Sequence, residues 1–370
     1  MIQINIFWNF ILNYEKKPVS PGCIAGSVLK IILIKKIDGL FPGLEMTRQV
    51  RCRIEGDHII PPAGMELIIV DHCNIACRQC NHGSPVIPKW NADPSDVARD
   101  LGILSKVFKP AFLKLIGGEP LLHPNLPEVI RAARNSGITN HFLLVTNGIL
   151  LDRASDDLWS LIDEIEISGY EASALSEDLL SRAMRRAEEH GVSFTLNHFS
   201  DFRRTFTVRR TENDELVGKI FRACKIANVW GCYALYKGRI YRCPQSMYVP
   251  ALAGIDVTEG IAVNDSATFR DELFAFLTST EPLMSCRYCV GTAGRKQPHK
   301  LLPRSNWRMD LEEPAEEMID WDLLNRLLEE IVPIDDCKTP VKRIRKQDVN
   351  SLLHWPMVRK AANQIWRGWR

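Results

Sequence analysis

The strongest constraint on this chain is an alternation between two hydrophobic periods over residues 65–200. "MELIIVD" (65–71) is a short apolar run preceded by "PPAG", which reads as a buried strand. "DPSDVARDLGILSKVF" (93–108) then places apolar residues at helical spacing, with Asp93 as N-cap and Pro94 in the first turn. The pattern recurs: "AFLKLIGGEP", "HFLLVTNG", "DEIEISGY" and "VSFTLNHF" read as strands. Between them "PNLPEVIRAARNSGI", "LDRASDDLWSLI" and "SEDLLSRAMRRAEEHG" read as helices. Strands alternating with helices predict a parallel sheet. An open or partial β/α barrel and a doubly wound sheet both accommodate five such strands. In either fold the site forms at the carboxyl edge of the strands. The segments that follow the strands are therefore expected to converge.

One of those segments is "DHCNIACRQCNHG" (71–83), with Cys73, Cys77 and Cys80 on a single loop. The chain has eleven cysteines, an odd number, in 370 residues. A secreted chain would use them as a disulfide framework. No export signal is legible at the N-terminus, so metal binding or catalysis in a reducing cytosol is the expectation. Thiolates suit iron–sulfur clusters and zinc. A closed zinc site or a closed 4Fe–4S cluster takes four ligands. Three cysteines leave either an iron open to a small molecule or a zinc completed by His72 or His82.

The charge balance of 47 basic and 45 acidic residues, net +2, argues against a dedicated nucleic-acid binder. No apolar run is long enough to span a bilayer. The apolar opening of the chain reads as neither a signal nor a membrane helix, and Met46 is an alternative start. No function is assigned to residues 1–45.

At this point the sequence resembles the radical S-adenosylmethionine (SAM) superfamily. The family's C-x3-C-x2-C loop after the first barrel strand matches Cys73, Cys77 and Cys80, and its "GGEP" segment after the second matches Gly117, Gly118, Glu119 and Pro120. The resemblance implies a partial (β/α)6-type barrel. It also implies a 4Fe–4S cluster on the three cysteines whose open iron chelates SAM. One electron then splits the sulfonium and yields a 5′-deoxyadenosyl radical, which abstracts hydrogen from a substrate. A strand-edge carbonyl and Glu119 would take the SAM ammonium, and Asn147, Ser168 and Asn197 would line the cofactor. Gln79 stands where many members carry an aromatic residue beside the adenine.

Further on, "CYALYKGRIYRC" (232–243) and "CRYC" (286–289) resemble the auxiliary-cluster extension of the family in its short twitch form. Cys232, Cys243, Cys286 and Cys289 would hold a second 4Fe–4S cluster, with structural zinc as the alternative. Cys224 fits neither set. It reads first as a small buried apolar residue, otherwise as a substitute ligand or a hydrogen donor to a substrate radical. Cys23, Cys52 and Cys337 read as plain buried residues.

The expected organisation is an N-terminal extension (1–59), a radical SAM core (60–225), a small cysteine-rich auxiliary domain (226–295) and a mostly helical tail (296–370). In that tail Trp355, Val358, Ala362, Ile365 and Trp369 share one helical face. The twitch form resembles aminocyclitol and aminosugar enzymes. A small polar substrate, sugar- or aminocyclitol-like, is therefore expected ahead of a peptide. Asn81, His82, His123, His198 and Gln245 are candidates to bond its hydroxyls. Oxidation, epimerisation and dehydration are the open outcomes, with flavodoxin or ferredoxin as electron donor. A peptide maturase is the rival enzyme, and a non-catalytic iron–sulfur or zinc protein the rival of another class.

Overall fold

Each alternating segment forms the element its period predicts. In the computed structural model, which describes residues 47–332, the first core strand is β1 (Met65–Val70). It is followed by α1 (Pro94–Leu104), β2 (Leu113–Gly117), α2 (Leu126–Asn135) and β3 (Phe142–Thr146). Then come α3 (Asp156–Leu161), β4 (Glu164–Tyr170), α4 (Glu177–Glu189) and β5 (Ser193–Phe199). The helices start where polar side chains cap them. Asp93 accepts from the Ser95 amide at 2.8 Å, and Ser176 from the Leu179 amide at 3.2 Å.

β1 to β5 are parallel neighbours in chain order. The alternation of strand side chains gives the sheet two different faces. Met65, Leu67 and Ile69, with Leu113, Leu115, Phe142, Leu144, Ile165 and Ile167, face the helices and are all buried. The helices meet them with apolar stripes such as Val97, Leu101 and Leu104 of α1. Each such fully buried side chain contributes about 1.5–3 kcal/mol.

After α5 (Asp214–Ala223) the chain forms a hairpin of β6 (Tyr233–Tyr236) and β7 (Arg239–Tyr241). Its two-residue turn places Lys237 at φ 48° and Gly238 at φ 72°, the left-handed pair that matches strand twist. β6 is a sixth parallel strand, but it lies beside β1 and not beyond β5. The hairpin thus belongs to the same eight-stranded sheet as the core strands, in the order β8-β7-β6-β1-β2-β3-β4-β5, with β8 at Ile261–Ala262. Next to the hairpin, α6 (Gln245–Ala253) packs Met247, Tyr248, Val249 and Leu252 with Ile68, Ala234 and Trp307 in a second core.

The later segment contributes α7 (Phe269–Thr278) and α8 (Trp321–Glu330). Residues 47–332 all fall in one compact unit. No helix among the described residues is long and apolar enough to cross a membrane. The readings made for residues 1–45, for Cys337 and for the tryptophan-rich end lie outside the described residues.

Candidate functional site: two groups of thiols at opposite ends of the sheet

The cysteine loop begins at Asp71, immediately after β1. Asp71 is almost fully buried and accepts from the Tyr236 hydroxyl at 2.7 Å, and Lys237 from the hairpin turn pairs with it at 3.2 Å. Burial raises its pKa, and these two partners pull it back down. The hairpin therefore anchors the head of the loop.

"GGEP" is joined to this loop by backbone. The Gly118 amide donates to the Val70 carbonyl at 2.8 Å, and the Glu119 amide to the His72 carbonyl at 3.0 Å. A Cβ on Gly117 would lie 2.1 Å from the Val70 oxygen, and one on Gly118 would lie 2.1 Å from the His72 oxygen. The two glycines are needed because the end of β2 runs against the stem of the cysteine loop.

Glu119 is fully buried. Its carboxylate accepts from the Thr146 hydroxyl (2.6 Å), the Asn147 amide (2.8 Å) and the Leu121 amide (3.0 Å). The side chain holds the turn after β3 against the turn after β2. Asn147 in turn donates to Asn74 at 2.7 Å and approaches Cys73 Sγ at 3.6 Å. Thr146 pairs with Ile167, and Ser168 with Asn197, so Asn147, Ser168 and Asn197 stand at one level of the carboxyl edge. The segments after β1, β2, β3, β4 and β5 do meet at this edge.

Burial raises the pKa of all three loop thiols, that of Cys73 to about 12. The charges of Cys80 and Cys73 push Cys77 further up, and Cys80 does the same to Cys73. The thiols are therefore close enough to repel when ionised. Tyr170 at the end of β4 feels the same three groups and stacks on His299 with centroids 4.9 Å apart.

A segment far along the chain closes over the loop. Ala76 accepts from the Leu302 amide at 2.9 Å, and the Arg78 amide donates to Lys300 at 2.8 Å. Arg304 donates to the Cys73 carbonyl at 2.7 Å. Gln79 takes a left-handed φ of 56° and turns its amide onto Asp310, at 2.8 Å from the carboxylate and 2.9 Å from the carbonyl. Its side chain thus ties the loop to residues 300–310. This segment carried no signal in the sequence.

The second group of thiols differs from the expected set. Cys224, Cys243, Cys286 and Cys289 line one cavity of about 60 Å³, with Arg242, Gln245 and Ser246 among its other walls, and Cys232 is not on that wall. Cys224, at the C-terminal cap of α5, is buried. On each of Cys243, Cys286 and Cys289, the largest upward push on the pKa after burial comes from Cys224. Cys232 bears on the neighbouring Tyr233. Tyr233 is opposite Met65 at the start of β1, and β7 runs back to the same end. The second group therefore lies at the amino end of the sheet. The six residues of β1 put the two groups on the order of 20 Å apart.

Among the described residues no group of three or more His, Cys, Asp or Glu could hold a single metal ion as arranged. A cubane cluster takes one thiolate at each iron, so its ligands surround a volume and do not converge on one point. Buried, mutually repelling thiols in a set of three and a set of four suit that demand.

Of the polar candidates, His123 spends both ring nitrogens on backbone, at Ala92 O (2.9 Å) and Asn125 N (3.1 Å), and so shapes a turn. His82 packs edge-on against Tyr248. Gln245 accepts from the Cys243 thiol at 3.0 Å. Asn81 and His198 are exposed. Cys52 is buried, as read from its sequence context.

No family model matches the chain. A GTP 3′,8-cyclase of Chlorobaculum tepidum is 27% identical over 118 residues, 32% of this chain and 33% of that protein. A PqqA peptide cyclase of Granulibacter bethesdensis is 30% identical over 162 residues, 38% of this chain and 40% of that protein. The matches thus span well under half the length of these relatives. The solved structure of BtrN in complex with AdoMet and 2-DOIA aligns with 62% of this chain and 94% of that one at 12% identity. Its TM-score of 0.42 is too low to carry an argument. The two relatives are radical SAM enzymes, the superfamily that the chain's three-cysteine loop and the glycine pair locked to it at the carboxyl edge resemble.

Proposed function

We propose that the protein is a radical SAM enzyme acting on a small polar substrate, sugar- or aminocyclitol-like. The observation that carries this reading is the backbone lock between the cysteine loop and Gly118–Glu119. It fixes three thiols and a glycine-lined strand edge as one rigid unit, as a shared cluster and cofactor seat requires. Cys73, Cys77 and Cys80 would hold a 4Fe–4S cluster, and that cluster would supply the one-electron reduction of SAM from which the family's 5′-deoxyadenosyl radical arises. The electron comes from a low-potential carrier such as flavodoxin or ferredoxin.

The chain's own residues bind and shield. Gly117 and Gly118 let the end of β2 pack against the stem of the cysteine loop, and carbonyls of that edge accept from the ammonium of SAM. Glu119 is committed to the chain's own donors, so its part is to hold the Asn147 turn in place. Asn147, Ser168 and Asn197 face the nucleoside from one level. Residues 300–310 and the Asp71 anchor exclude water from the loop.

The four thiols Cys224, Cys243, Cys286 and Cys289 hold an auxiliary 4Fe–4S cluster, with Cys224 taking the place first read for Cys232. A cluster held there would supply an electron acceptor at the amino end, which favours net oxidation of the substrate. A cysteine spent as a ligand is not free to donate hydrogen, and this sets epimerisation through Cys224 aside. The parallel strands form the wall of a partial barrel in a reducing compartment. The PqqA peptide cyclase relative supports a second reading in which the substrate is a peptide.

Two measurements test this. Iron and sulfide contents after anaerobic reconstitution should correspond to two clusters per chain. The electron paramagnetic resonance signal of the reduced protein should change on adding SAM, and Cys77→Ala should abolish that change. Zinc at the loop, or a signal indifferent to SAM, would overturn the proposal.

A further inference from the structure

Two arginines among the described residues are almost fully buried, each 8% exposed, and they are partnered differently. Arg204 has the Glu313 carboxylate at 2.7 Å. Arg242 has no carboxylate in contact. Its two terminal nitrogens donate to carbonyls, one to Ser279 at 2.6 Å and the other to Glu281 at 2.8 Å. The guanidinium also lies over the Phe276 ring, 5.4 Å from the centroid. Nε is unpartnered in both arginines, but Arg242 stands on the wall of a cavity.

That cavity is the one lined by Cys224, Cys243, Cys286 and Cys289. Arg242 enters its wall directly after β7, one residue before Cys243. After burial, the thiol charges of Cys286 and Cys243 bear most on it, ahead of that of Glu259. A buried charge without a counter-charge is costly. Two carbonyls take its donors but do not cancel its charge. The groups placed to cancel it are the four thiols, which lose their protons when they coordinate a metal. The cation and its unused Nε–H are therefore a provision for an anionic centre in this cavity.

We propose that Arg242 sets the reduction potential of the auxiliary cluster. Its charge and its Nε–H favour the reduced, more negative state. Potentials of such clusters follow net charge and hydrogen bonds to the sulfurs. A raised potential suits a centre that takes an electron up. The two carbonyl bonds hold the guanidinium in one place, so Arg242 is a positioning residue that touches no substrate. The inference rests on the reading above, in which Cys224, Cys243, Cys286 and Cys289 hold that cluster.

The test is a redox titration of the reconstituted full chain, with iron and sulfide measured on every sample. Electron paramagnetic resonance follows the signal that is indifferent to SAM. Arg242→Met should lower the midpoint until the reduced-to-oxidised ratio at a fixed potential falls at least about tenfold, a shift of about 59 mV for one electron. Arg242→Lys keeps the charge and loses the Nε–H, and its midpoint should fall between those of Arg242→Met and the wild type. It carries the test alone should Arg242→Met not hold its iron. A merely structural Arg242 would change stability or loading and leave the midpoint of the loaded protein where it was. An unchanged or raised midpoint in a variant with full iron overturns the proposal. Iron for one cluster only in the wild type overturns the reading beneath it, and the proposal falls with that reading.

Discussion

The indole nitrogen of Trp307 donates to the carbonyl of Cys77 over 2.8 Å, across 230 positions of sequence. Trp307 is fully buried, and the bond fixes the middle cysteine of the loop from outside it. Asp310, one turn further on, holds Arg78 at 2.6 Å and Gln79 at 2.8 Å. The cysteine loop is thus held by a distant strap as much as by its own turns. Asp310→Ala removes the acceptor of two loop side chains, one of them buried, at a cost of about 1–3 kcal/mol. It should leave the sheet folded, raise amide exchange across residues 73–83 and cut cluster loading severalfold. Hydrogen exchange and iron content check both effects.

Glu119 serves three donors in a fully buried place. Glu119→Ala leaves a hydroxyl and two amides without partners, each costing about 1–3 kcal/mol. It should lower stability by about 3 kcal/mol or more. Glu119→Gln keeps the shape and one acceptor oxygen and should cost less than half of that. Urea denaturation of the two variants gives the comparison.

The auxiliary thiols allow a sharp pairwise test. Cys224→Ala should remove about half of the reconstituted iron, and Cys232→Ser should retain it. SAM cleavage should survive in both, because the loop cysteines lie at the other end of the sheet. The reverse pattern of iron loss would restore Cys232 as the ligand.

His299 makes stability depend on pH. It is buried against Tyr170 and Phe202, and neither ring nitrogen has a partner. Burial lowers its pKa, with Glu171 opposing weakly. The unfolded chain therefore takes up the proton first as pH falls. Stability is full above the ordinary histidine value of about 6.5 and is lost as pH drops below it. His299→Phe keeps the ring stack and should flatten this slope. Melting temperatures of both proteins between about pH 5 and pH 7.5, which span that value, measure it.

The strands and helices of residues 65–199 were legible because one face of each is buried, and burial imposes its period on the sequence. The three-cysteine loop and "GGEP" were legible because their spacing is local. Cys224 was not, because it and Cys232 both precede the hairpin and only the path of the chain decides which thiol faces Cys243. The strap was silent for a similar reason: Arg304, Trp307 and Asp310 act through contacts that leave no periodic trace. The burial of Lys114 and Glu166 was not legible either, because a charged residue alternating with apolar ones is the ordinary pattern of a half-solvated strand. The position of β6 beside β1 is likewise a matter of three-dimensional closure.

The central claim is that three thiols bind a cluster with one open iron that reduces SAM. The direct measurement is anaerobic reconstitution with iron and sulfide, reduction, addition of SAM, and chromatographic detection of 5′-deoxyadenosine. The account predicts 5′-deoxyadenosine and methionine in equal amounts from the wild type and none from Cys73→Ala, Cys77→Ala or Cys80→Ala. A fully loaded, reduced wild-type protein that leaves SAM intact would contradict it.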